Sequence, residues 1–439
     1  MIARRGWVYP LLMTALVVAM PSAMSIAAEI APARPGDVER PAGVVSLEHA
    51  VAAALARNPS VLAADALARA QEGGVRQAGV LPNPTLEGET EDLAGTGRFG
   101  SVSQPQTTVR LSQLVLLGGD REARLRAAIA ERSLAAWDAA ARRLDVGAST
   151  VQAFVDVQAA QEGLAIAENG VRLAETVVFA VTERVGAGFA SPVEETKARV
   201  ASAEARLQVE TARQALAAAC RRLAALWGGG SATVTGVTGA MRTPAAPPGL
   251  DILEPRLETN PDLARWTTEI ERSQALVDVA RARAVPDVTL SAGYRRFHDT
   301  GNDAIVVGAS VPLPLFDRNR GGIDDATSRL EAARREAQAV RTRLQAALAE
   351  AYRALASASV EATLLDRDIL PGAETAYDAA QEGYRGGRFG MLDVLDSQRT
   401  LFGARQRRVQ ALAAFHRAAA EIDRLTGRGQ PEGLEGESR

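Results

Sequence analysis

The sequence predicts a mixed α and β membrane protein. Four short strands per chain would belong to a transmembrane β-barrel shared between copies, attached to very long coiled-coil hairpins. Three observations predict it. The first is a duplication: Asn58-Pro59 is answered by Asn260-Pro261, and Leu81-Pro82-Asn83-Pro84-Thr85-Leu86 by Val285-Pro286-Asp287-Val288-Thr289-Leu290. Gly188-Phe189 is answered by Arg388-Phe389, and Leu226-Trp227-Gly228 by Leu425-Thr426-Gly427. The offsets, 199 to 204 residues, are several times the period of solenoid repeats, so the unit is a duplicated half-protein. The second observation is a helical periodicity too long for a globule, and the third is a pair of alternating segments in each copy. Both halves run helix, strand, loop, strand, very long helix, tight turn, returning helix. That order points to a channel.

At the N-terminus, Arg4 and Arg5 precede an apolar run over residues 7–20, followed by Ser22, Ala23, Ser25, Ala27 and Ala28. This is the form of a secretory signal peptide, assigned to residues 1–28. The run is short for a membrane span and Pro21 ends it, which disfavours an N-terminal anchor. No Cys stands at the cleavage point, so acylation of a mature N-terminal Cys is not expected. Residues 29–45 read as an extension.

The first repeat covers residues 46–227. In Thr85-Leu86-Glu87-Gly88-Glu89-Thr90-Glu91 every second residue is acidic, so Glu87, Glu89 and Glu91 share one face of a strand. Lipid does not accept three carboxylates, so a membrane strand would turn that face to the lumen; a solvated face beyond the membrane boundary is the competing reading. Residues 107–116 alternate as well, with Val109 and Leu111 opposite Arg110 and Ser112. Residues 121–185 contain no proline, and Leu134, Trp137, Ala141, Leu144, Ala148, Val151 and Val155 step by three and four. That is a heptad seam, and a rod of this length extends on the order of 100 Å. Gly186 to Pro192 makes a tight turn, and Ser191-Pro192-Val193-Glu194 restarts a helix with a capping box.

Residues 228–258 are rich in Gly, Thr and Pro and read as an irregular connector. The second repeat, residues 259–427, returns the same elements. Val288, Leu290, Ala292 and Tyr294 alternate with Thr289, Ser291, Gly293 and Arg295; Ile305, Val307, Ala309 and Val311 follow, and Pro312-Leu313-Pro314-Leu315 breaks the pattern. A second rod equivalent to the first is expected over about residues 322–383, and residues 428–439 read as a disordered tail. Alternation alone suits ordinary hairpins on a core as well as barrel strands. Bacterial barrels start at about eight strands, so a barrel reading demands association of copies.

Composition removes several function classes. A net charge of -3 without a basic block excludes a nucleic-acid partner. The single Cys, Cys220, reads as a small core residue, and His49, His298 and His416 have no metal-ligand spacing. No cofactor, metal site or catalytic constellation is indicated. Only 4% of residues are aromatic, which suits Ala-rich helices packed closely rather than a globular core.

With these features in place, the mature chain resembles the TolC-like outer membrane efflux family along nearly its whole length. Leu111-Ser112-Gln113 with Leu117-Gly118-Gly119-Asp120-Arg121, and Val311-Pro312-Leu313-Pro314-Leu315-Phe316-Asp317-Arg318-Asn319-Arg320-Gly321, are similar to strand-to-helix junctions of its cobalt-zinc-cadmium branch. Asp120 stands where that branch more usually has a basic residue. The resemblance implies a homotrimer with a twelve-stranded barrel in outer membrane lipid, continuous with a long periplasmic α-helical barrel. It implies a periplasmic adaptor and an inner membrane resistance-nodulation-division pump as partners. It also implies that Tyr384, Arg388, Asp393 and Asp396 constrict the periplasmic entrance through inter-helix hydrogen bonds and an acidic ring. Asp393 and Asp396 are three apart at a helix start, where ordinary N-terminal helix charge would equally place them.

The function expected is that of a passive conduit exporting divalent heavy-metal cations, not an enzyme. Drug efflux or type I protein secretion would use the same architecture. A periplasmic coiled-coil adaptor or scaffold would need the hairpins but not the four strands.

Overall fold

The computed structural model describes residues 41–92, 105–229, 234–242 and 248–427. The signal peptide assigned to residues 1–28 and the tail assigned to 428–439 lie outside the described residues.

Each half opens with a helix capped by the repeated Asn. Ser46 starts α1 (Leu47–Arg57), and Asn58 both ends it and caps α2 (Pro59–Ala78), its Oδ1 accepting the Ser60 amide at 2.9 Å. Asn260 does the same for α6 (Pro261–Ala282), accepting the Asp262 amide at 2.7 Å. The side-chain amides reach the far ends of the returning helices. Asn58 Nδ2 donates to the Leu226 carbonyl at 2.7 Å, and Asn260 Nδ2 to the Arg424 and Leu425 carbonyls at 3.0 and 2.9 Å. One side chain thus satisfies orphan donors of one helix and orphan acceptors of another. This explains why Asn-Pro and the Leu-x-Gly ends recur together. Asn260 is buried with all three bonds made, so Asn260→Ala should cost about 2–4 kcal/mol, a lost cap plus stranded carbonyls. Asn58→Ala should cost less, having one carbonyl bond fewer. Thermal melts of the two variants in detergent check the order; equal shifts would rule out the shared cap.

The strands are β2 (Thr85–Glu91), β3 (Gln106–Val115), β5 (Val288–Phe297) and β6 (Asp303–Ser310). They form one antiparallel sheet in the order β2-β3-β5-β6, and the β3–β5 ladder runs from Gln106 opposite Phe297 to Val115 opposite Val288, stitching the halves together. β2 and β6 are its open edges. At the junction after β3, Gly118 is obligatory, because an added Cβ would lie 2.4 Å from the Ala282 carbonyl oxygen. Gly119 and Asn319 then start the long helices from left-handed backbone, at φ 71° and 53°.

The first rod, α3 (Asp120–Gly186), is a single helix of 67 residues, which at about 1.5 Å per residue extends ~100 Å. Ala123, Ala127, Ala130 and Leu134, and further on Gly170, Ala174, Val177 and Val181, are buried in the four-three-four steps of a heptad seam. Small side chains there let α4 (Pro192–Ala225), α6 and α9 (Met391–Leu425) approach closely.

Two expectations fail. The connector is not wholly irregular: β4 (Val234–Val237) pairs in parallel with β1 (Gly43–Val45), inside the stretch read as an extension, and α5 (Leu250–Leu253) with a 3₁₀ turn (Glu254–Thr259) leads into α6. Val234 and Val237 turn into a cluster with Val45, Ala53, Phe154, Val157, Leu223 and Trp227 midway along the rods. Each such side chain contributes roughly 1.5–3 kcal/mol on full burial, which outweighs weak local strand propensity. Cys220 sits in this cluster, as a small core residue.

The second rod is also not continuous. α7 (Arg320–Leu364) passes through a π-helical turn (Leu365–Ile369) before α8 (Leu370–Arg385). Pro371 has no amide hydrogen to give the carbonyl four residues back, and the wider turn absorbs the missing bond. Asp366 in that turn pairs with Arg408 of α9, holding the bend to the returning helix.

Candidate channel wall and periplasmic gate

The sheet inverts the usual relation between chemistry and burial. Leu86, Val109, Leu111, Ala292, Tyr294, Ile305 and Val307 fall on one face by register. That face is open: Leu86 is 72%, Ile305 83% and Val307 77% exposed. The opposite face carries Glu87, Glu89, Glu91, Thr108, Arg110, Ser112 and Arg295, and there Thr108 and Ser112 are 1% and 9% exposed. Glu87 and Glu89 on that face are exposed at the edge strand, so the sheltering is confined to the middle of the sheet. An apolar face open to the outside and a polar face behind it is the arrangement for lipid outside and water within. Ten residues of β5 rise about 34 Å, and a tilt of 35–45° brings that near the ~25 Å apolar band of an outer membrane barrel.

The acidic stripe is partly neutralised. Glu87 faces Arg110 with 3.8 Å between charged atoms, and Glu91 meets Arg295 at 3.2 Å, while Glu89 lies opposite Thr108. Arg295 also donates to Thr108 Oγ1 at 2.9 Å. Arg295 comes from the second repeat, so the charge pattern exists only where the two halves join.

The hairpin tips carry the second constellation. Gly188 and Gly387 turn the chain at φ 75° and 71°, and a Cβ at Gly383 would lie 2.1 Å from the half-exposed Phe389 ring and displace it. Tyr384 is buried in a cluster with Val177, Val181, Ala198, Tyr377 and Val394. Its hydroxyl donates to Glu194 Oε2 of α4 at 3.3 Å. The Arg184 guanidinium lies 4.5 Å from the Tyr384 ring centroid, and its Nη1 donates to the Tyr384 carbonyl. Burial, followed by the charge of Glu194, pushes the Tyr384 phenol above its ordinary range, so the hydroxyl stays a donor at any physiological pH.

Of the residues singled out by sequence, Tyr384 alone is packed between helices within one chain. Arg388, Asp393 and Asp396 are exposed at the turn and the start of α9. Asp393 accepts the Gly390 amide at 2.9 Å, which makes it a helix cap as well as a surface charge. Among the described residues, Arg388 and Asp396 have no ion-pair partner. Arg184 and Glu194 were not singled out by the sequence. The available signal was the repeat itself, because Arg184 and Tyr384 are equivalent positions 200 residues apart and they are in contact.

Among the described residues, no group of three His, Cys, Asp or Glu could hold a metal ion, and no helix is long and apolar enough to cross a membrane. His416 is packed beside Phe415, and burial pushes its imidazole below the ordinary value.

Comparison with known proteins matches this geometry. The profile of the family described as outer membrane efflux protein matches residues 50–229 and 253–428, one stretch in each half. The chain is 38% identical over 387 residues to the cobalt-zinc-cadmium resistance protein CzcC of Cupriavidus metallidurans, covering 88% of this chain and 91% of that one. It is 31% identical to the nickel-cobalt-cadmium resistance protein NccC of Alcaligenes xylosoxydans xylosoxydans, over 67% of this chain and 66% of that protein. Among solved structures, CusC superposes with a TM-score of 0.75 at 18% identity, over 90% of this chain and 97% of CusC, a likeness of fold. The four-stranded sheet and these matches decide against a periplasmic adaptor. The chain belongs to the outer membrane efflux protein family, as an outer membrane channel component with the TolC-like fold.

Proposed function

We propose that three copies close a twelve-stranded barrel in the outer membrane above a periplasmic helical tunnel, and that this passive conduit exports divalent heavy-metal cations. The observation that carries the substrate class is the 38% identity to CzcC across both halves of the chain. Association is supported by the open edges β2 and β6, which together offer one head-to-tail pairing per neighbour. It is also supported by Val193, Val200 and Leu207, seven residues apart and exposed on α4, an apolar seam that the described residues leave uncovered. Energy would come from an inner membrane resistance-nodulation-division pump, coupled through a periplasmic adaptor at the hairpin tips. Cleavage after residue 28 and repeats spanning residues 46–227 and 259–427 complete the reading. Glu87, Glu89 and Glu91 would face the barrel lumen, and Tyr384, Arg388, Asp393 and Asp396, joined by Arg184 and Glu194, would form the periplasmic gate.

Deleting the gene from its own cell, with pump and adaptor intact, tests the substrate. The minimal inhibitory concentrations of cobalt, zinc or cadmium should fall several-fold and recover on complementation. Unchanged metal tolerance with new sensitivity to hydrophobic drugs would transfer the conduit to the drug-efflux reading.

A further inference from the structure

The strands end at four junctions, and all four lie at the same end of the sheet: before Thr85, after Val115, before Val288 and after Ser310. Each carries large apolar side chains that the described residues leave uncovered. Leu81, Leu117 and Val285 are exposed in the first three; Leu313, Leu315 and Phe316 are exposed in the fourth, Phe316 at 99%. These groups lie next to the ends of strands whose apolar face is open.

The junction backbone is prepared for a medium poor in water. Pro82, Pro84, Pro286, Pro312 and Pro314 have no amide hydrogen to leave unpaired. Neighbouring groups are paired inside the chain: Gln113 Nε2 donates to the Pro82 carbonyl at 3.0 Å, Leu117 donates to Asp287 Oδ1 at 3.0 Å, and the Leu315 amide donates to the Leu313 carbonyl at 2.8 Å. The end of the segment is anchored, because Asn319 Nδ2 donates to the Ala280 carbonyl at 2.6 Å and Asp317 accepts the Asn319 amide at 2.8 Å. Immediately beyond the apolar groups stand Arg318 and Arg320, both exposed. Arg318 Nε donates to the Pro314 carbonyl at 3.2 Å, which sets its guanidinium beside the apolar groups, and guanidinium groups next to an apolar layer suit the phosphates of a phospholipid headgroup layer.

Resting on the barrel reading, we propose that the four junctions form an interfacial collar in the periplasmic leaflet of the membrane. Leu313, Leu315 and Phe316 would sit among phospholipid acyl chains and Arg318 and Arg320 at the phosphates, fixing the depth of the channel. The collar is distinct from the strands' lipid-facing band, since it is loop rather than ladder.

Spin labels at Leu313→Cys or Phe316→Cys, in a Cys220→Ala background of the full chain, test it in phosphatidylethanolamine and phosphatidylglycerol vesicles. Collision rates with oxygen, which partitions into lipid, are compared with those of a water-soluble nickel chelate. Labels at 313 and 316 should favour oxygen several-fold relative to a label at Glu331→Cys on α7. A preference for the nickel chelate at 316, with oxygen still preferred at Val307→Cys on β6, would overturn the collar and leave the barrel standing. Access by neither reagent at 316 would also overturn it, placing Phe316 against a second copy. A nickel preference at 307 as well would overturn the barrel reading itself.

Discussion

Replacing Tyr384 with Phe and Arg388 with Ser should open the resting channel, raising its conductance in planar bilayers with no adaptor present. The Phe variant removes the hydroxyl that reaches Glu194 and leaves the buried ring under Arg184 in place, so the tip still folds. A hydrogen bond to a charged group is worth about 1.5–3 kcal/mol, and a balance of 99:1 inverts with about 5.5 kcal/mol per state. In the proposed trimer, three copies losing one such bond each reach that range. Arg184→Gln should open the channel further, because it removes both the ring contact and the charged donor to the Tyr384 carbonyl. Asp393→Asn with Asp396→Asn separates the acidic ring from the latch. Asn keeps the capping chemistry at position 393, so the helix start survives while block by added multivalent cations weakens. Parent-like conductance in all these variants, with block unchanged, would place the constriction elsewhere.

The acidic strand gives the second large effect, and its ion pairs set how far the selectivity should move. Three carboxylates on that face stand against two guanidinium groups, Arg110 and Arg295, a net charge of -1 per chain. Converting Glu87, Glu89 and Glu91 to Gln leaves the two cations uncompensated, so the barrel should change from mild cation preference to anion preference. Glu89→Gln alone, the carboxylate without an ion pair, should bring selectivity close to neutral. Reversal potentials under a salt gradient read both. An unaltered reversal potential in the triple variant would remove these residues from the conduction path.

The elements that depend on local periodicity were legible in the sequence. The α3 rod shows as a proline-free heptad, the strands as alternation, and the hairpin turns as Gly-rich breaks, because each is written in contiguous residues. What depends on distant contact was not. The β1–β4 pair joins segments nearly 200 residues apart and has too few residues to carry a pattern of its own. The ion pairs of the acidic strand depend on the β3–β5 register, so Glu91 alone gives no sign of Arg295. At the gate, Tyr384 and its turn could be read locally, whereas Glu194 and Arg184 belong to the other hairpin. The duplication held that information, since the paired positions 184 and 384 and the twin caps at Asn58 and Asn260 are contacts across or within equivalent halves. The break at the π turn was marked in the sequence by Pro371, and the heptad periodicity around it hid the mark.

Ring closure is the central claim, and a cysteine pair on the open edges tests it most directly. Gly88→Cys on β2 has no atom within 4 Å of the added Cβ, and Val307→Cys on β6 is on the same exposed face, so neither should disturb the sheet. In a Cys220→Ala background, a short thiol cross-linker applied to native outer membranes should give a ladder of one, two and three chains that stops at three. Each single-cysteine variant should remain monomeric on the same gel. A double variant that stays monomeric while its thiols react, or a ladder that runs past three, would contradict a barrel closed head to tail by three copies.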